Sequence, residues 1–132
     1  MKGKANISNQ LREILQNAEK EVVICTDVED LNSKIKLFGQ TFERLKNNKI
    51  KIKVALSGDE KLIKELSEKF AIKFKKINIQ AKFFIIDKSE ILFYVSKKGA
   101  EIEDEIAIWL NSPFFAEAFS SLFEKAMEDN SN

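Results

Sequence analysis

The 132-residue sequence contains no histidine and one cysteine, and each scarcity removes a class of function. Without histidine there is no Ser-His-Asp or Cys-His arrangement, no histidine-ligated metal and no phosphohistidine intermediate. The single thiol, Cys25, has no partner for a disulfide within the chain and cannot build a structural zinc site. It suits a reducing, cytoplasmic setting. No apolar run reaches the roughly 18 residues of a membrane span. The opening Met1-Lys2-Gly3-Lys4 lacks the apolar segment of a signal peptide. Charge of one sign is also missing: 22 basic and 21 acidic residues leave a net +1, with no field to draw nucleic acid. Neither a metal nor a cofactor is expected.

What is present is an ordered series of periodic segments. Ile7, Leu11, Ile14, Leu15 and Ala18 form a helical stripe that Asn6 or Ser8 can cap. Glu21–Thr26 is a short, nearly all-apolar strand of the kind that parallel sheets bury on both faces. Asp27 and Asp30 open a helix striped by Leu31, Ile35, Phe38, Phe42 and Leu45. A second strand covers Ile50–Leu56. Ser57 with Glu60 has capping-box spacing for a helix burying Leu62, Ile63, Leu66 and Phe70. The period then changes to two. Ile72 and Phe74 alternate with Lys73 and Lys75, Asn78–Asp87 and Ile91–Ser96 pair around a turn at Lys88-Ser89-Glu90, and Glu105–Leu110 is the last strand. Lys97–Asp104, with Gly99, is a loop. Ser112-Pro113 starts a phenylalanine-rich helix. The order α-β-α-β-α-β-β-β-β-α predicts an α/β fold with a mixed, partly parallel sheet and helices on both faces.

Asn78–Asp87 organises the chain, because it carries a lysine inside an apolar strand. A charge there must reach water, a partner or a ligand. Period two places Gln80, Lys82 and Phe84 on one face. Lys82 can anchor an anionic or hydroxylated ligand, or be satisfied by Asp87 or by carbonyls. Gln80 donates and accepts at once, which suits hydroxyls. Thr26 and Asp27, and Ser57, Gly58 and Asp59, follow parallel strands, where open α/β sheets gather ligands. Helix capping is the competing explanation for these residues. Trp109 and Asn111 can line the same crevice or belong to the core. Lys51, Lys53, Lys73, Lys75 and Lys76 have no aromatic stacking residues beside them and are assigned to solvated faces.

Gln80-x-Lys82, four residues and Asp87, on this element order, resemble one half of the phospholipase D superfamily fold. That signature is His-x-Lys, four residues, then Asp, with Gly-Ser-x-Asn on the next strand. Here Gln80 stands at the histidine, and Tyr94-Val95-Ser96-Lys97 leaves only a displaced serine, Ser96. Asp104–Pro113 and the helix after it are similar to the phospholipase-D-like domain of archaeal TrmB-type transcriptional regulators. The resemblance implies an effector-sensing domain, a homodimer paired near the signature lysine, and a winged helix that this chain lacks.

A glutamine amide neither attacks phosphorus nor cycles a proton near neutral pH. The expectation is therefore a single, non-catalytic, cytoplasmic domain over residues 1–132, sensing a sugar or a phosphorylated small molecule and dimerising. It would meet DNA only through an attached domain. Its candidate ligand-binding residues are Gln80, Lys82, Asp87, Ser96, Asp27, Ser57, Trp109 and Asn111. Two alternatives stay open: a catalytically dead dimerisation module, and a phosphodiesterase with another nucleophile.

Overall fold

The structure is a computed structural model that describes residues 2–78, 80–95 and 105–129. Helix α1 (Lys4–Gln16) precedes β1 (Glu21–Asp27), α2 (Val28–Ser33), α3 (Ile35–Asn47), β2 (Lys51–Ser57) and α4 (Glu60–Phe70). Strands β3 (Phe74–Lys76), β4 (Phe83–Ile86), β5 (Glu90–Tyr94) and β6 (Ala107–Asn111) lead to α5 (Pro113–Asp129). One sheet runs in the order β3-β2-β1-β4-β5-β6. β1, β2 and β3 are parallel; β4, β5 and β6 then alternate in direction beside β1. The mixed sheet with helices on both faces is as the element order predicts.

The two faces are unequal. On one, α1, α3 and α4 bury Leu11, Phe38, Phe42 and Leu66 against Ile24, Leu56 and Phe84. On the other, α5 packs Ala116, Phe119 and Phe123 against Val23, Cys25, Phe83 and Ile85. Strict alternation along β1 explains the division: Val22 and Ile24 point one way, Val23 and Cys25 the other. At the free end of the sheet, Ile108 and Trp109 of β6 remain partly exposed, with Phe114 and Leu122 of α5 more so.

Several local expectations are corrected. The helix after Asp27 is two helices, because Lys34 adopts φ −113° and ψ 35° between them. Helix α1 starts at Lys4 after Gly3, so neither Asn6 nor Ser8 caps it; the Asn6 amide donates instead to the Lys2 carbonyl. Asp59, not Ser57, caps α4 by accepting from the Leu62 N–H at 3.1 Å. Ser57 still belongs to β2, opposite Asp27 and buried, and the chain turns only at Gly58. Gly58 has φ +115°, and a Cβ there would lie 2.7 Å from Val28 Cγ1, so glycine is required on both counts.

Strand β4 is less than half the expected length, and residues 80–82 approach it as irregular chain. The hairpin turn lies one residue earlier than expected. Asp87 and Lys88 take left-handed φ of 54° and 55°, and the Ser89 N–H returns to the Ile86 carbonyl at 3.0 Å. The expected loop Lys97–Asp104 lies outside the described residues.

Since Asp59 is the cap, Asp59→Ala should cost about 1 kcal/mol of stability, with Glu60→Ala costing clearly less. Urea denaturation of the two variants checks the assignment; equal losses would restore the capping box.

Candidate functional site

The site forms where β1 ends. Thr26 and Asp27 close that strand, and the antiparallel register with β4 pairs Cys25 with Phe83, which sets Lys82 beside Thr26. On the far side of β4, Tyr94 lies next to Lys82 and donates its backbone N–H to the Lys82 carbonyl at 3.0 Å. From the helical side, the first turn of α2 contributes Asp30, and the break between α2 and α3 contributes Lys34.

These groups form a closed charge network. The Lys34 ammonium donates to Asp30 Oδ1 at 2.7 Å, with 7% and 8% of the two side chains exposed. Thr26 Oγ1 donates to the other Asp30 oxygen at 3.0 Å. Lys82 Nζ stands 3.6 Å from Asp27 Oδ2 and 3.7 Å from Asp30 Oδ1, in ion-pair range of both. Both lysines lie over the Tyr94 ring, 5.2 Å from its centroid for Lys82 and 5.7 Å for Lys34. Asp27 also caps α2 through its other oxygen, 2.7 Å from the Asp30 N–H. The helix break thus has a use: it directs Lys34 inward at the sheet end.

Two titrations are displaced here. Burial by itself raises the Asp30 carboxyl, but the Lys34 ammonium, its hydrogen bond and Lys82 hold it below the usual carboxylate range. Burial, reinforced by the negative charges of Asp30, Glu105 and Asp27, pushes the Tyr94 phenol well above its ordinary value. One Glu105 oxygen is buried without a hydrogen-bond donor. Two ammonium groups and three carboxylates, one with an oxygen in want of a donor, make the site polar without a net positive charge.

Of the sequence-derived candidates, Lys82, Asp27 and Ser57 meet at this sheet end. Gln80 is exposed on the irregular approach to β4, so period two does not fix its direction. Asp87 lies at the other end of β4, about 16 Å away along five residues. Its carboxylate accepts the Glu19, Lys20 and Glu21 N–H groups, with the shortest contact 2.7 Å. Asn111 sits at that same remote end, opposite Glu90. Trp109 is mid-strand, donating its indole N–H to Glu90 at 3.2 Å. Ser96 lies outside the described residues. Lys34, Tyr94 and Glu105 were not among the candidates. The Asp30-to-Lys34 spacing of i, i+4 was a usable signal for the first. Centring the hairpin on Lys88 would have placed Tyr94 beside Lys82. Among the described residues, no group of Cys, Asp and Glu is arranged to hold a metal ion, and no helix is long and apolar enough to cross a membrane.

Among the described residues, the six-stranded mixed sheet carries α5 on its second face and a lysine entering the strand beside β1, the fold that the resemblance to a phospholipase-D-like domain implies. The family model described as transcriptional regulator TrmB, EBD (effector-binding domain) N-terminal subdomain, matches residues 1–131. The chain belongs to that family. Among solved structures it is similar to TrmBL2, described as an archaeal chromatin protein with a novel mode of DNA binding. That match has a TM-score of 0.75 and 16% identity over 98% of this chain and 51% of the other. The chain therefore spans about half the length of TrmBL2. It is also similar to Nuc from Salmonella typhimurium, a phospholipase D family member, with a TM-score of 0.66 and 13% identity over 92% and 86% of the two chains. NucT from Helicobacter pylori gives 0.64 and 13% over 95% and 89%. At such identities the likeness is one of fold. A sequence comparison with curated proteins found no match.

Asp30→Ala leaves the Lys34 ammonium buried without its partner and should cost about 3 kcal/mol at neutral pH. Because the folded carboxyl titrates below its unfolded value, near 3.9, its contribution is complete above that pH and is lost as pH falls through the folded value. Urea denaturation at pH 7 and near pH 2 should show the difference between wild type and variant shrinking in acid.

Proposed function

We propose that this chain is a non-catalytic, effector-sensing and dimerising domain of a TrmB-type transcriptional regulator. One observation carries the reading: the signature lysine is already held between Asp27 and Asp30 over the Tyr94 ring. A lysine neutralised in this way is a poor cradle for a phosphate, which would have to displace two carboxylates. It is a good donor to a neutral hydroxyl, with Asp27, Glu105 and Gln80 as acceptors at or near the same sheet end. The effector class favoured is therefore a polyhydroxylated neutral molecule, such as a sugar, over a phosphorylated one.

Neither histidine, Tyr94 nor Cys25 supplies a nucleophile here. The sequence has no histidine, and Gln80 stands at the position where the resemblance places one. The Tyr94 phenol is displaced away from ionisation. Cys25 faces the opposite side of the sheet, and burial pushes its thiol up to about 12. Contact with DNA would come from an attached domain, in keeping with a relative about twice as long. Exposed Ile108, Trp109, Phe114 and Leu122 at the free sheet edge and on α5 favour a homodimer, whose geometry the effector would bias. If dimerisation is the whole role, the alternative of a pure pairing module holds.

Thermal-shift measurements with neutral sugars and phosphorylated sugars separate these readings. A neutral sugar should raise the melting temperature, and Lys82→Ala should abolish the rise at least tenfold in affinity. Absence of any stabilising sugar, or a hit indifferent to Lys82→Ala, refutes the pocket. Phosphodiester hydrolysis lost in Lys82→Ala refutes the absence of catalysis. Sedimentation equilibrium should return a dimer.

A further inference from the structure

The opposite face of the sheet holds a concavity unrelated to the charge network. It lies between α5 and the strands and has a volume of about 220 Å³. Its walls include Cys25, Ala81, Phe83, Phe119, Phe123 and Ala126, and no described wall residue is charged. Cys25 and Phe83 pair across β1 and β4, so they point away from the side where Asp30 and Lys34 pack.

We propose that this cavity binds one small, uncharged aromatic molecule. Size comes first: an apolar cavity of about 150 Å³ stays dry and accepts benzene, so 220 Å³ has room for one ring or a fused pair. Wall chemistry comes second. Phe83 meets Phe119 edge-on with centroids 5.3 Å apart, and meets Phe123 edge-on at 6.4 Å. A planar ring seated beside them gains further edge-to-face contacts, the geometry aromatic pairs prefer. An ionised ligand would lose its hydration for nothing here. The one polar wall group is a thiol that already donates to the Ala81 carbonyl at 3.6 Å.

The sequence keeps this space open with small residues. Cys25, Ala81 and Ala126 stand where larger apolar side chains would fill the void and recover contacts. The mouth is formed by Leu122, which is 61% exposed. A small molecule fits the volume better than a partner helix, which needs a long groove and not one ring-sized recess. Insertion of an exposed Phe114 from a second copy is the competing occupant.

Indole serves as the probe, with inositol as a neutral polar control. Millimolar indole should raise the melting temperature of the wild type by at least about 2 °C, while inositol does not act at this cavity. Ala126→Leu fills the recess and should keep the fold while reducing indole affinity at least tenfold. Lys82→Ala should leave indole binding unchanged, so failure of this site and failure of the charged site are told apart. Backbone NMR shifts provide the second measurement, independent of the variant's folding. Indole-induced shifts centred on Cys25, Ala81 and Ala126 support the proposal. Shifts centred elsewhere, no binding, unaltered binding to Ala126→Leu, or indole binding only as a dimer dissociates, overturn it.

Discussion

Every residue of β1, from Glu21 to Asp27, is buried, and the rest of the molecule is arranged around that strand. It pairs in parallel with β2 and antiparallel with β4, so both its edges are used. Both its faces are covered, by α1, α3 and α4 on one side and α5 on the other. A strand enclosed in this way has no direction in which to hide polar groups except its ends. Each end is polar and each is satisfied differently. At the start, the Glu19 to Glu21 N–H groups are gathered by the Asp87 carboxylate from the hairpin turn. At the finish, Thr26 and Asp27 join the lysine network.

This division separates two residues that a sequence signature groups together. Lys82 and Asp87 flank the same short strand, yet one joins the charge network and the other holds the opposite end of the sheet. Asp87 is suited to its post twice over: its carboxylate takes three backbone donors, and aspartate tolerates the left-handed φ of 54° that the turn imposes. Spacing along a strand conveys distance, about 3.3 Å per residue, but not which groups share a function.

Legibility followed the same line. Element order, parallel and antiparallel portions, and the apolar stripes were all visible, because periodicity records burial directly. Asp27 as a cap and Lys82 as an anomalous charge were visible as well. What escaped depended on geometry that no local pattern encodes. The Lys34 break interrupts a stripe that stays in phase on both sides, so Leu31, Ile35 and Phe38 look continuous. Ser57 and Asp59 both satisfy a cap pattern, and only the pairing of Ser57 within β2 and the hydrogen bond from the Leu62 N–H to Asp59 decide between them. Tyr94 reaches Lys82 through hairpin register, and a one-residue error in the centre of the turn slides it two residues along the same face, opposite Phe84.

The charge network sets the final constraint on what the sheet end can recognise. A buried ion pair is weak evidence for stability, since desolvating two charges offsets most of their attraction. Its effect on selectivity is larger. With Asp30 ionised below its usual range and shared between Lys34 and Lys82, neither lysine has its charge free for an anion. An approaching phosphate meets carboxylates as near as ammonium groups, and its own desolvation goes uncompensated. On the proposed function, a hydroxyl would accept from Lys82 and donate to Asp27 without disturbing the pair. On that reading, the two aspartates that hold Lys82 would turn this position away from anions and toward neutral, hydroxylated ligands.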